Sequence, residues 1–167
     1  MNGWINALIG RYARQGVIID TNLLLLLFAG LAGPSFIPKF KRTEKYAQAD
    51  FELLLALIQP FARIVVTPQI LAEVTNLSPD HQAFFQNLLA VLREAREEYV
   101  PKDLMLDSTL LPKIGFADLS LLEAAKAGKY LVITDDLRAY GYLSSAECDV
   151  INLNHLRGES WGLGNTR

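Results

Sequence analysis

Residues 17–33 read VIIDTNLLLLLFAGLAG. Val17-Ile18-Ile19 is a β-branched run of the kind that forms a buried strand. Leu23 to Ala29 is apolar on every side, which suits a helix enclosed by other elements. Gly30, Gly33 and Pro34 then end it. Between strand and helix stand Asp20, Thr21 and Asn22. The uncharged run Leu23–Gly33 is 11 residues long, short of the roughly 20 needed to span a bilayer. Extending it backwards would bury Asp20 at a cost of about 3 kcal/mol. A secretory apolar region would sit nearer the N-terminus and would not follow a carboxylate. The segment therefore predicts a strand, a polar corner and a buried helix. A cytoplasmic protein with no membrane partner is the expectation.

The rest of the chain suits that frame. Its 167 residues are enough for one domain, 1–167, with a full core. Hydrophobic residues make up 51% and charged residues 20%, which excludes disorder. Cys148 is the single cysteine, so no internal disulfide forms, as fits a reducing compartment. A net charge of −2 and a pI near 5.7 exclude a broadly basic nucleic-acid binder. Any such contact would use a local patch, or metal ions that offset acidic groups.

Further strands are predicted at Ile64–Val66, at Tyr130–Thr134 and at 150–153, with Tyr99-Val100 as a short edge strand. Helices are predicted from about Glu44 to Gln59 and from Pro68, capped by Thr67, to about Asn76. Another starts at Ser78-Pro79 and runs to about residue 98. A fourth covers Asp118–Ala127, with Gly128 just past its end. Apolar strands alternating with helices predict an α/β fold: a single three-layer α/β/α domain around a parallel sheet of about four to five strands. Ligands of such sheets bind beyond the carboxyl ends of the strands.

Asp20 directly follows the first strand, and Asp135 and Asp136 directly follow the strand ending at Thr134. Glu73 and Asp118 lie in the first turns of helices, Glu73 a few residues after the strand 64–66. Each also has a plain reading. Asp20-Thr21-Asn22 caps a helix, Glu73 is a solvated helix acid, Asp118 answers a helix dipole, and Asp135-Asp136 is a strand-end turn. The plain readings do not explain why all fall at one edge. Carboxylates that converge repel one another unless a cation holds them. An all-oxygen set suits Mg²⁺ or Mn²⁺ rather than zinc.

With these residues in place, the chain resembles the PIN-domain ribonucleases. IIDTN looks like their first motif, with Asp20 as metal ligand and Thr21 and Asn22 in support. PQILAEV looks like the second, with Glu73. GFADLSLLEAAKAGKYLVITDD looks like the third and fourth, with Asp118 opening a helix and Thr134-x-Asp136 closing a strand. DVINLNHLR is similar to the family's closing strand. The resemblance implies a divalent-metal-dependent endoribonuclease in which Asp20, Glu73, Asp118 and Asp136 hold one or two Mg²⁺ or Mn²⁺ ions. Asp135 stands as an outer group or a second ligand, and Asn22 and Thr134 orient ligands or water. It leaves open a toxin restrained by an antitoxin protein, a stand-alone enzyme and a homodimer.

For RNA, PKFKRTEKY places Lys39, Lys41, Arg42 and Lys45 among Phe40 and Tyr46, a mixture that single-stranded binding uses. A solvated loop is the plain alternative. Arg138 either contacts phosphate or neutralises Asp135. Two rival functions remain. A haloacid-dehalogenase-like phosphatase would use Asp20 as nucleophile and wants a second Asp two residues on, where Asn22 stands. A non-catalytic RNA-binding module would share the fold.

Overall fold

A computed structural model describes residues 3–162, with side chains to Arg157. The ends of the expected 1–167 domain, residues 1–2 and 163–167, lie outside the described residues. Five parallel strands form one sheet in the order β3-β2-β1-β4-β5. They are β1 (Val17–Ile19), β2 (Ile64–Val66), β3 (Arg96–Glu97), β4 (Leu131–Thr134) and β5 (Val150–Asn152). β1 is central: Val17 pairs with Ile64 on one side and Leu131 on the other. All three of its residues are fully buried. This is why a β-branched run without alternation forms it.

The helices are α1 (Gly3–Tyr12), α2 (Thr21–Ala32), α3 (Gln48–Ile58), α4 (Pro68–Leu77), α5 (Gln82–Glu94), α6 (Lys102–Leu106), α7 (Leu111–Gly128), α8 (Leu137–Ser145) and α9 (Leu153–Gly162). A 3₁₀ helix spans Pro34–Lys39. α2 packs with α3 and α5, and α7 with α8; for this strand order the right-handed crossover rule assigns the two groups to opposite faces. α4 packs against both α2 and α7 and so bridges the faces across the strand C-ends. The three-layer α/β/α expectation stands.

Leu23 to Gly30 are all buried. α3, α5, α4 and the 3₁₀ helix cover α2 from outside, and the sheet covers it from within. The opening Leu run is thus interior helix. Burial of each such side chain contributes about 1.5–3 kcal/mol. No helix among the described residues is long and apolar enough to cross a membrane.

Several boundaries differ from expectation. The helix expected from Glu44 starts at Gln48, because residues 41–45 turn and Asp50 caps the Ala47 amide at 2.8 Å. Ser78-Pro79 starts no helix. Ser78 Oγ donates back to the Val74 carbonyl at 2.7 Å, and α5 begins after His81, whose Nδ1 accepts from Phe84 N. The edge strand is Arg96–Glu97 rather than 99–100. Its side chains are exposed, so no apolar signal marks it, and only pairing with Val65 and Val66 defines it. Lys129, at φ 50°, takes the left-handed position after α7. Gly128 is needed instead because the Tyr130 ring would lie 2.0 Å from any Cβ there.

Candidate functional site

The chain runs β1→β2→β3 outward on one side, then returns to β4→β5 on the other. The order therefore reverses between β1 and β4, where parallel α/β sheets open a crevice. Asp20 N donates to the Ile133 carbonyl at 3.1 Å, which ties the two strand ends together. A cleft of about 170 Å³ opens beside them, lined by Asp20, Thr21, Asn22, Glu73, Leu77, Asp118 and Asp136. Four acids from the ends of β1 and β4 and from two helices thus line one space.

Asp20 is 5% exposed. Its Oδ1 accepts from Leu23 N at 2.8 Å, as an N-cap does. Its Oδ2 accepts from Asp135 N at 3.0 Å and from Thr134 Oγ1. Thr134 Oγ1 in turn accepts from Asp136 N at 3.0 Å. The Thr-x-Asp spacing therefore joins two cleft acids through one buried hydroxyl. Asp136 Oδ1 accepts from Arg138 N at 2.6 Å and Ala139 N at 3.1 Å and caps α8. The plain capping readings of Asp20 and Asp136 hold, and both residues line the cleft as well.

Glu73 receives a hydrogen bond on Oε2 from Thr21 Oγ1. α7 breaks at Gly115, with φ 77°, so Asp118 lies in the first turn of the second piece. Asp118 accepts no hydrogen bond from a described residue. Burial, then the Asp20–Asp135 repulsion, pushes Asp20 up to about 7. Burial followed by Glu73 and Asp136 pushes Asp118 up to about 6, against a lowering by Arg138. Arg138 offsets the rise at Asp118 only in part, and a cation bound among the acids would relieve the rest.

Asp135 belongs to a different environment. Its Oδ2 meets Lys45 Nζ at 2.5 Å and Tyr46 Oη at 2.7 Å. Asn22 Nδ2 lies 3.5 Å from Oδ1. Asp135 therefore stands outside the cleft, on the side of the segment between α2 and α3. Asn154 Nδ2 donates to the Asp135 carbonyl at 2.5 Å, and Asn152 Nδ2 to the Asp136 carbonyl at 3.3 Å. Tyr46, read from the sequence as a ring for bases, is instead a buried donor to Asp135, and Asn152 and Asn154 have no role in that reading. The strand-end rule that found Asp20 would have marked the two asparagines at the end of β5.

Lys39, Lys41 and Arg42 are exposed, while Lys45 is drawn to Asp135. The rings between them turn inward. Phe40 stacks on Phe36 and meets the edge of Phe84, and Tyr46 is 3% exposed. That segment presents charge but no free ring. Arg138 Nη2 donates to the Lys113 carbonyl at 3.2 Å.

The donor set for a divalent ion is all oxygen, as Mg²⁺ and Mn²⁺ prefer. Among the described residues no three Asp, Glu, His or Cys side chains form a ready-made ligand group. Mg²⁺ needs only one or two carboxylates when waters and substrate phosphates complete its shell. Asp118, Glu73 Oε1 and Asp136 Oδ2 keep their lone pairs for that purpose. The residues fit such an ion. The chain matches no protein-family model, no curated protein and no solved structure.

Proposed function

We propose that this protein is an endoribonuclease that hydrolyses RNA phosphodiester bonds with Mg²⁺ or Mn²⁺ held by Asp20, Glu73, Asp118 and Asp136. One observation carries the reading: the four carboxylates line a single cleft at the β1–β4 crevice. Burial first, and then neighbouring carboxylates, raise Asp20 and Asp118 well above the ordinary carboxylate range. A bound divalent ion lowers the pKa of a water and offsets charge on the phosphate. Thr21 holds Glu73, and Thr134 with the Asp135 amide holds Asp20, so the ligands are oriented before substrate arrives. The exposed Lys39, Lys41 and Arg42 are available for phosphate contacts.

The phosphatase reading loses support. Asp20 is nearly buried and both its oxygens already accept from protein donors, a poor state for a nucleophile. The test is cleavage of a panel of single-stranded and hairpin RNAs with Mg²⁺, Mn²⁺ or EDTA. Wild type should cleave with metal only, and Asp20→Asn should lose about 100-fold or more. Equal cleavage by both proteins would refute the mechanism. Binding without cleavage by wild type would favour the non-catalytic module.

A further inference from the structure

The buried Asp20 carboxylate takes part of its direction from the end of β4. Both donors to its Oδ2 sit there: the Thr134 hydroxyl, and the Asp135 amide at 3.0 Å. The 134–135 peptide therefore points its N–H at Asp20, and three contacts on Asp135 hold it so. Tyr46 Oη donates to Oδ2 at 2.7 Å, Lys45 Nζ meets the same oxygen at 2.5 Å, and Asn154 Nδ2 donates to the carbonyl at 2.5 Å. Tyr46 is itself anchored. Its amide donates to the Thr43 carbonyl at 2.9 Å. Thr43 is fully buried, and its hydroxyl donates to the Ile37 carbonyl at 2.7 Å. On the other side, Arg157 Nη1 donates to Asn154 Oδ1 at 2.6 Å. A run of hydrogen-bonded residues thus leads from the 3₁₀ helix through Thr43, Tyr46 and Asp135 to Asp20.

Sealing the core does not call for this arrangement. Apolar side chains of similar volume often replace a buried polar pair at little or no loss of stability. What a satisfied polar network adds is a unique geometry. Here that geometry is the orientation of the Asp135 backbone, which aims its amide at Asp20. We propose that Tyr46 is a positioning residue for Asp20, acting through the Asp135 side chain and amide. Neither Tyr46 nor Asp135 lines the cleft. Asp135 is then a link in the chain of bonds rather than a metal ligand. That Asp20 is positioned for a divalent ion rests on the nuclease reading of the acids. Outer partners of this kind change metal affinity by about 10- to 100-fold.

The experiment has one readout without metal and one with it, both on the full chain. In EDTA, NMR-detected hydrogen exchange follows the Asp135 amide. Tyr46→Phe keeps the buried ring and removes only the donor. The Asp135 amide should then exchange about 10-fold faster. The Asp20 amide, bonded to the Ile133 carbonyl at 3.1 Å, should keep its wild-type rate. An unchanged Asp135 rate, or an equal rise at both amides, would overturn the positioning role, the second by reducing Tyr46 to general support of the fold. With metal, calorimetric titration measures Mn²⁺ affinity. Tyr46→Phe and Asp135→Ala should each weaken it about 10-fold. The double variant should lose no more than Asp135→Ala alone, since Tyr46 acts through Asp135. Losses that add fully would overturn the proposal. Asp135→Asn keeps a side-chain oxygen for Tyr46 and should retain most of the affinity. If it binds as weakly as Asp135→Ala, Asp135 is a ligand and the assignment fails. Wild type that binds no Mn²⁺ but shows Tyr46-dependent exchange would sink the nuclease and leave the positioning of Asp20 standing. Mn²⁺ binding and RNA cleavage that ignore Tyr46 would do the reverse.

Discussion

Lys45 Nζ lies 2.5 Å from Asp135 Oδ2, joining positions 90 residues apart. Lys45 is half exposed, whereas the Asp135 side chain is 4% exposed. Tyr46 donates to the same oxygen, and its ring lies under Lys45 Nζ at 4.8 Å and Arg157 at 5.5 Å. Burial first, and then Asp135, pushes the Tyr46 hydroxyl up, so it remains a donor. The chain between α2 and α3 therefore straps the end of β4. It holds the Asp135 side chain away from the cleft while the Asp135 amide faces Asp20.

Lys45→Met should lower stability by about 1–2 kcal/mol, less than a fully buried pair would cost because Lys45 keeps contact with water. Asp135→Asn in the Met background should recover part of the loss, since no buried charge is then left alone. Urea midpoints of the two single variants and the double variant measure the coupling. Coincident midpoints for wild type and Lys45→Met would mean the pair contributes nothing.

The raised acids give the metal-free protein a defined pH dependence. Asp20 at about 7 and Asp118 at about 6 lie above their unfolded value of 3.8. The folded state thus binds protons more tightly than the unfolded one. The resulting stability is complete below about pH 4 and disappears as pH rises through 6 and 7. In EDTA the Tm should fall by about 5 °C between pH 5 and pH 8. Asp20→Asn should flatten this slope, and Mg²⁺ should raise the Tm more at pH 8 than at pH 5. Identical slopes for wild type and Asp20→Asn would remove the case for crowded carboxylates.

Thr21 lines the cleft, and its hydroxyl donates to Glu73. Thr21→Val keeps the shape but removes the donor, and should weaken Mn²⁺ binding by about 10-fold. Thr21→Ser should retain most of it. Calorimetric titration with Mn²⁺ separates the two variants. Equal affinity for both would show that Glu73 needs no such anchor.

How much of this was legible follows from where each signal lies. Val17–Leu27 declares strand, corner and buried helix because its apolar runs differ from every polar neighbour. Asp20 and Asp136 follow from the strand-end rule, and their caps arise from the same placement. Glu73 and Asp118 follow from their places in the first turns of helices near the strand ends, a weaker signal, since position alone does not separate either from a solvated helix acid. β3 escaped because Arg96 and Glu97 are exposed, so no apolar pattern marks a strand that backbone pairing defines. The strap was illegible for another reason. Lys45 and Tyr46 gain their roles only when β4 delivers Asp135 to them. Residues 44–47 accordingly looked like helix or a nucleic-acid loop.

Gly30 tests how tightly α2 and α3 close under that strap. Gly30→Ala in a helix interior ordinarily gains about 1 kcal/mol from propensity. Here the added Cβ would stand 2.2–2.5 Å from three carbons of the Phe51 ring. Phe51 is 7% exposed and sits within the core, so it has little room to withdraw. Overpacking of this kind costs about 1–3 kcal/mol, enough to outweigh the propensity gain. Gly30→Ala should therefore be destabilised by about 1 kcal/mol net, and Phe51→Leu in that background should restore part of it. Phe51→Leu alone should destabilise, so the two changes must couple favourably, as contacting residues do. If Gly30→Ala instead raises the urea midpoint, the Phe51 ring yields freely and the α2–α3 seam is looser than its geometry implies.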